Sequence, residues 1–145
     1  MVNGSRTAIY DYLYNLFFGV VSDNVYVMDE PQELTESDVR EGFLVIRVGD
    51  IYDEGEFSLS AYGMVRCYVS AYIPPMSRGR LDLTTYKAFE DGINDVIKSA
   101  AQVSDGEYFV QETDVISTDV ETIGNGDNAF FTFVKSFIVE IDDVE

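Results

Sequence analysis

From Tyr62 to Ile73 the chain alternates strictly: Val65, Cys67, Val69, Ala71 and Ile73 take one set of positions, and Met64, Arg66, Tyr68, Ser70 and Tyr72 the other. A period of two places the first set on one face of a β-strand and the second on the opposite face. The first face is apolar throughout and requires a core. The second is amphipathic and rich in tyrosine, which suits a surface only partly open to water. Pro74-Pro75 ends the strand, because proline offers no ladder donor and restricts the residue before it. A strand of this length needs partners, and the rest of the sequence supplies them.

Phe43 to Val48, FLVIRV, is β-branched and apolar and predicts a second strand. The stretch GDIYDEGEFSLSAYG continues it as a hairpin arm with a solvated tip. Val25 to Met28 is a short strand candidate, and Asp29 to Gly42 is an acidic connection. Ala129 to Ile141 is the last strand; both of its faces are largely apolar, which predicts a central or doubly covered position. Glu107 to Ile123 reads as mostly extended, with Asp114 and Asp119 at irregular points. Asn125-Gly126 marks a turn before the last strand.

Two segments carry the helical period. Ile9, Leu13, Leu16, Phe17 and Val20 share one face of a helix over Thr7 to Val20, and Tyr10, Tyr14 and Phe18 widen the stripe. Interrupted by Asp11, Asn15 and tyrosines, this segment reads as an amphipathic helix of the mature protein rather than a signal peptide. Tyr86, Phe89, Ile93, Val96, Ile97 and Ala100 give the stripe of a second helix from about Asp82 to Gln102, with Gly92 inside it. The expected order is α-β-β-β-α-β-β: one α+β domain over residues 1–145, with a mainly antiparallel sheet and helices packed on it.

Several chemistries lack their residues. The chain has no histidine, which removes Ser-His and Cys-His nucleophile pairs and histidine zinc sites. Its single cysteine, Cys67, cannot form an internal disulfide and alternates with core valines, so it reads as a buried thiol of a protein kept in a cytoplasm-like compartment. Neither a GxGxxG nor a Walker loop is present, and no cofactor is expected. Asp50, Asp53, Glu54 and Glu56 lack the spacing of a calcium loop and read as the solvated hairpin tip. Asp114, Asp119 and Glu121 have no marked partner for catalysis. The formal charge of −18 repels phosphates, so no direct high-affinity binding of nucleic acid is expected. No apolar run is long enough to span a bilayer.

The order of these elements resembles the tail terminators and the related tail-completion and neck proteins of long-tailed bacteriophages. The features that match are the N-terminal helix, the short strand and acidic connection, FLVIRVGDIYDEGEF, YGMVRCYVSAYIPP, the helix LDLTTYKAFEDGINDVIKSA and the closing strand AFFTFVKSFIVEID. Together they cover nearly the whole chain. The resemblance implies a non-enzymatic virion component, made in a host cytoplasm, that forms a ring on the end of the tail. The expected ring number is six, and the expected neighbours are the tail tube and the head connector.

In such a ring each subunit offers two different surfaces to its neighbours. Arg78, Arg80 and Lys87, three of nine basic residues, then become candidates to meet an acidic surface such as Asp29 to Glu41 or the tip containing Asp50, Asp53 and Glu54. Tyr68 and Tyr72 become candidates for the buried area, about 800 Å² per partner. Beside this stands the plain reading of Arg78-Gly79-Arg80 as an exposed loop. A different class of function is also open: a small-ligand-binding domain, or an enzyme built without histidine, with Tyr62, Tyr68, Tyr72 and Tyr108 lining a pocket.

Overall fold

The computed structural model describes residues 6–29, 31–51, 62–74, 83–102, 108–112, 117–123 and 130–142. They form three helices and six strands: α1 (Arg6–Phe17), β1 (Val25–Val27), α2 (Glu36–Glu41), β2 (Phe43–Ile51), β3 (Tyr62–Ile73), α3 (Leu83–Gln102), β4 (Tyr108–Glu112), β5 (Ser117–Ile123) and β6 (Phe130–Asp142). The expected α+β arrangement is present, as one sheet with helices packed on it.

The sheet is ordered β1-β2-β3-β6-β4, with β5 also paired to β6. β3 and β6 form its axis. They pair antiparallel from Tyr62 opposite Asp142 to Ile73 opposite Phe131 without a register break. β6 is therefore central, as its two apolar faces require. β4 and β5 both run antiparallel to β6 and lie end to end along it, β4 against its C-terminal half and β5 against its N-terminal half. Here the expectation of one extended segment is refined to two strands. The irregularity foreseen at Asp119 falls in a register shift: Ser117 faces Val134 and Glu121 faces Thr132, so four steps on β5 match two on β6.

At the opposite margin β1 runs parallel to β2, with Val25 to Val27 beside Leu44 to Ile46. The sheet is thus mixed, although every other pairing is antiparallel. A parallel neighbour needs a crossover, and α2 supplies part of it. The sequence alone reads this stretch as an acidic connection. Thr35 and Asp38 make it helical: the Asp38 N–H donates to the Thr35 hydroxyl at 3.0 Å and the Thr35 N–H donates to the Asp38 carboxylate at 2.9 Å, a reciprocal cap. Just past the end of β1, the hydroxyl of Tyr10 on α1 accepts the Val48 N–H at 3.0 Å.

Helices α1 and α3 pack on one face of the sheet. Ile9, Leu13 and Phe17 of α1, and Phe89, Ile93 and Ile97 of α3, meet Leu44, Val65, Cys67, Val69, Phe133 and Phe137. Phe17 and Phe137 pack with ring centroids 5.9 Å apart. Cys67 is fully buried there. α1 stops at Phe17, three residues short of its expected end. The chain turns through Gly19, at φ +77°, and the Val20 N–H bonds to the Phe17 carbonyl instead of continuing the helix. A second, smaller cluster lies on the other face, where Phe43, Val45, Tyr72 and Phe130 are buried and Tyr26 packs against them.

Candidate functional site

The described surface carries an open groove of about 830 Å³, built from four segments. Val20 and Val21, after α1, form one wall, and Val39, Arg40 and Glu41 of α2 form another. Pro74 closes the end of β3, and Thr84, Thr85, Ala88 and Phe89 line it from the first turns of α3.

Two glycines let these segments meet. Gly42, between α2 and β2, has φ +81° and ψ −179°, a backbone region essentially reserved to glycine. A Cβ there would stand 2.4 Å from the Tyr72 carbonyl oxygen, 2.8 Å from Pro74 Cδ and 3.0 Å from Phe89 Cζ. Gly92 gives α3 the closeness that its place in the helix suggests: a Cβ would lie 2.6 Å from Val21 Cγ1. The close neighbours there are the side chains of Val20 and Val21 more than backbone.

A small polar network joins segments that carry the groove's walls. The Gly42 carbonyl accepts from the Ser22 hydroxyl and from the Asn24 side-chain amide, each at 3.2 Å. The same amide donates to the Ser37 hydroxyl at 3.0 Å, and the Asn24 N–H donates to the Ser22 hydroxyl at 3.0 Å. These bonds tie the segment after α1 to α2 and to the start of β2.

Asp38 anchors α2 from the other side. Its side chain is fully buried, and the Tyr26 hydroxyl donates to the carboxylate at 2.8 Å from both oxygens. Burial first, then this hydrogen bond and the negative charge of Asp38, push the Tyr26 hydroxyl up to about 12 from 10.0. A folded-state value above the unfolded one favours the neutral phenol. The contribution is therefore complete below pH 10 and is lost as pH rises through about 12. Tyr26→Phe should lower stability by about 1 kcal/mol at neutral pH. It should also flatten part of the decline in stability between pH 10 and about pH 12, read by chemical denaturation at each pH. An unchanged alkaline slope would disprove the coupling. Tyr86 is shifted the same way, by burial and then by the charge of Glu90.

The candidate interface residues of the sequence reading are not gathered by the groove. Arg78, Arg80, Asp53 and Glu54 lie outside the described residues, and Asp50 falls in β2 near its bulge. Lys87 is exposed on α3, with its amine 3.8 Å from the Asp91 carboxylate. An exposed pair of this kind contributes little. Tyr68 is half-buried on β3, opposite Arg47 of β2 and Ser136 of β6. Tyr72 is only 5% exposed. Its ring stacks on Phe43 at 4.4 Å and meets Phe130 edge-on, so it is occupied within its own chain. Among the described residues no tyrosine lines the groove. Backbone positions Tyr62 and Tyr108 fall in β3 and β4.

Among the described residues no group of three or more cysteine and carboxylate side chains is placed to hold a metal ion. No described helix is long and apolar enough to cross a membrane. The sequence reading missed the groove's α2 wall, yet its signal was present: Thr35-Glu36-Ser37-Asp38 is a cap pattern and Gly42 a stop, and the two flank a helix of six residues. The chain matches no family model and no curated protein.

Proposed function

We propose that the chain is a structural, non-enzymatic virion subunit of the tail-terminator or tail-completion type, which assembles with copies of itself into a ring at the head-proximal end of a phage tail. Six copies are the expected number, with the tail tube and the head connector as neighbours. The observation that carries this reading is the order of elements along the chain. A helix and a short strand lead to a long hairpin, a second long helix and a set of closing strands, all on one sheet. This is the order on which the resemblance rests. The charge of −18 supports it, since an acidic ring lets DNA pass without gripping it.

Light scattering coupled to size exclusion, across protein and salt concentrations, tests the reading, with negative-stain images of large species. Closed rings whose formation is sensitive to salt are expected, since screening acts on the charge contacts between acidic subunits. A mass that never exceeds two chains under any condition would count decisively against the ring. The groove favours a second reading, a small-ligand-binding domain; thermal stabilisation by a ligand, abolished by Ala88→Glu in the groove wall, would support it.

A further inference from the structure

The face of the sheet away from α1 and α3 is fully closed at one end only, where Phe43, Val45, Tyr72 and Phe130 are buried. Further along the same face, Tyr68 of β3 stands opposite Arg47 of β2 and Ser136 of β6, and Arg66 stands opposite Ile138. Residues directly opposite share a face and touch. Arg47, Arg66, Tyr68 and Ile138 are each half-buried, so this end is a partly apolar surface that still meets water.

Arg66 limits what can cover it. The chain holds 27 acidic residues against nine basic ones. Arg40, Arg47 and Lys87 each pair with a carboxylate, at 3.3 to 3.8 Å. Among the described residues no carboxylate pairs with Arg66. The acids closest by position are Asp29, which pairs with Arg47 at 3.6 Å, Asp50 in the bulge of β2, and Glu140, whose backbone stands opposite Met64. A guanidinium covered by a partner loses its water, and left unpaired it costs more than the apolar contact returns. Whatever covers this face must therefore bring an anion to the Arg66 fork.

The chain itself carries a matching surface. Leu34, just before α2, is 39% exposed, and Glu33 and Glu36 beside it are exposed too. The Glu36 side chain is 92% exposed, and its pairing with Arg40 at 3.8 Å is of the weak, solvated kind. An aliphatic side chain between two carboxylates complements an apolar surface that holds an unmatched arginine. A phosphate polymer would supply the anion without the aliphatic group. At about 0.1 M salt the repulsion between acidic copies is screened beyond roughly 10 Å, which leaves the close contact to decide.

We infer that this sheet face receives segment 33–36 of a second copy, with Leu34 on Tyr68 and Ile138 and the two glutamates answering Arg66. The contact rests on the ring reading and names the surfaces that reading needs. Giver and receiver are different residues of one chain, so each copy offers one surface and accepts the other.

Light scattering coupled to size exclusion on the full chain tests it, with charge-exchanged variants. Arg66→Glu should weaken assembly by about tenfold or more, and so should the double variant Glu33→Lys/Glu36→Lys, whose two sites are exposed. Lys98→Glu makes the same change of charge at an exposed site on α3 and should leave assembly as in the wild type. An equimolar mixture of the Arg66→Glu chain and the double variant should assemble again, because every receiving face then finds a segment of opposite charge. Circular dichroism confirms that each variant is folded. Assembly that survives Arg66→Glu, an equal loss in Lys98→Glu, a mixture that stays apart, or a wild type monomeric throughout overturns the inference. So does a monomeric wild type that binds an oligonucleotide through Arg66. Rings that survive Arg66→Glu would overturn this contact and leave the ring reading standing. Pairs lost in Arg66→Glu and restored in the mixture, with no larger species, would do the reverse.

Discussion

Gly42→Ala is expected to lower the stability of the fold by about 4 kcal/mol, a large share of what a domain of this size has to lose. Two costs combine. The backbone at φ +81° and ψ −179° lies where an L-residue is strained. The added methyl also meets the Tyr72 carbonyl oxygen at 2.4 Å, a backbone atom that cannot step aside without moving the end of β3. Gly19→Ala provides the comparison. Gly19 has a similar φ of +77°, but its nearest neighbour is the Asp23 side chain at 3.5 Å. It should cost only about 1 kcal/mol, from backbone strain alone. Urea denaturation of both variants measures the difference, which combines the close contact at Gly42 with the harsher backbone strain of its ψ. Equal losses at the two glycines would show that the close approach to β3 does not matter.

Asp38→Ala should cost about 3 kcal/mol. Among the described residues no cation pairs with this buried carboxylate, so its stability rests on neutral donors: the Thr35 N–H and the Tyr26 hydroxyl. Alanine removes the reciprocal cap of α2 and the acceptor for Tyr26 together. Asp38→Asn keeps one acceptor oxygen and the shape, and should lose about half as much. Among the described residues no buried side-chain nitrogen or oxygen lacks a hydrogen-bond partner, so the native arrangement has no compensating defect to relieve. A double-mutant cycle with Tyr26→Phe, followed by denaturation, should return a coupling of about 1 kcal/mol. Additive losses would mean that the two side chains act independently. Because α2 forms a wall of the groove, Asp38→Ala should also weaken any contact made there.

The long strands were legible because their signal is local and periodic. Tyr62 to Ile73 alternates without exception, and β3 occupies those residues. The same held for α3, where Phe89, Ile93 and Ile97 repeat along one face. The face of β3 opposite the helices was harder. Tyr72 looks half-exposed from its neighbours in sequence, and it is buried because Phe43 and Phe130 arrive from β2 and β6. Pairing across strands is not written in either strand alone. The groove lies further still from the sequence, since its walls come from four segments joined by close approaches at Gly42 and Gly92. A glycine in a sequence announces freedom, and only the fold reveals which neighbour uses it.

The margins of the sheet have a consequence for how this protein behaves at high concentration. An open strand edge is a template for cross-β growth. Here one margin is a strand of three residues, and beyond it a tyrosine hydroxyl takes the next backbone donor of β2. The other margin is divided between β4 and β5, and its spacing along β6 is disturbed again within β5. Neither offers the long, regular register that fibril growth copies. Strand addition at either described margin would therefore meet only short or irregular runs of backbone partners. Tyr10, buried where α1 meets β2, thus occupies a backbone donor at that margin as well as packing in the core.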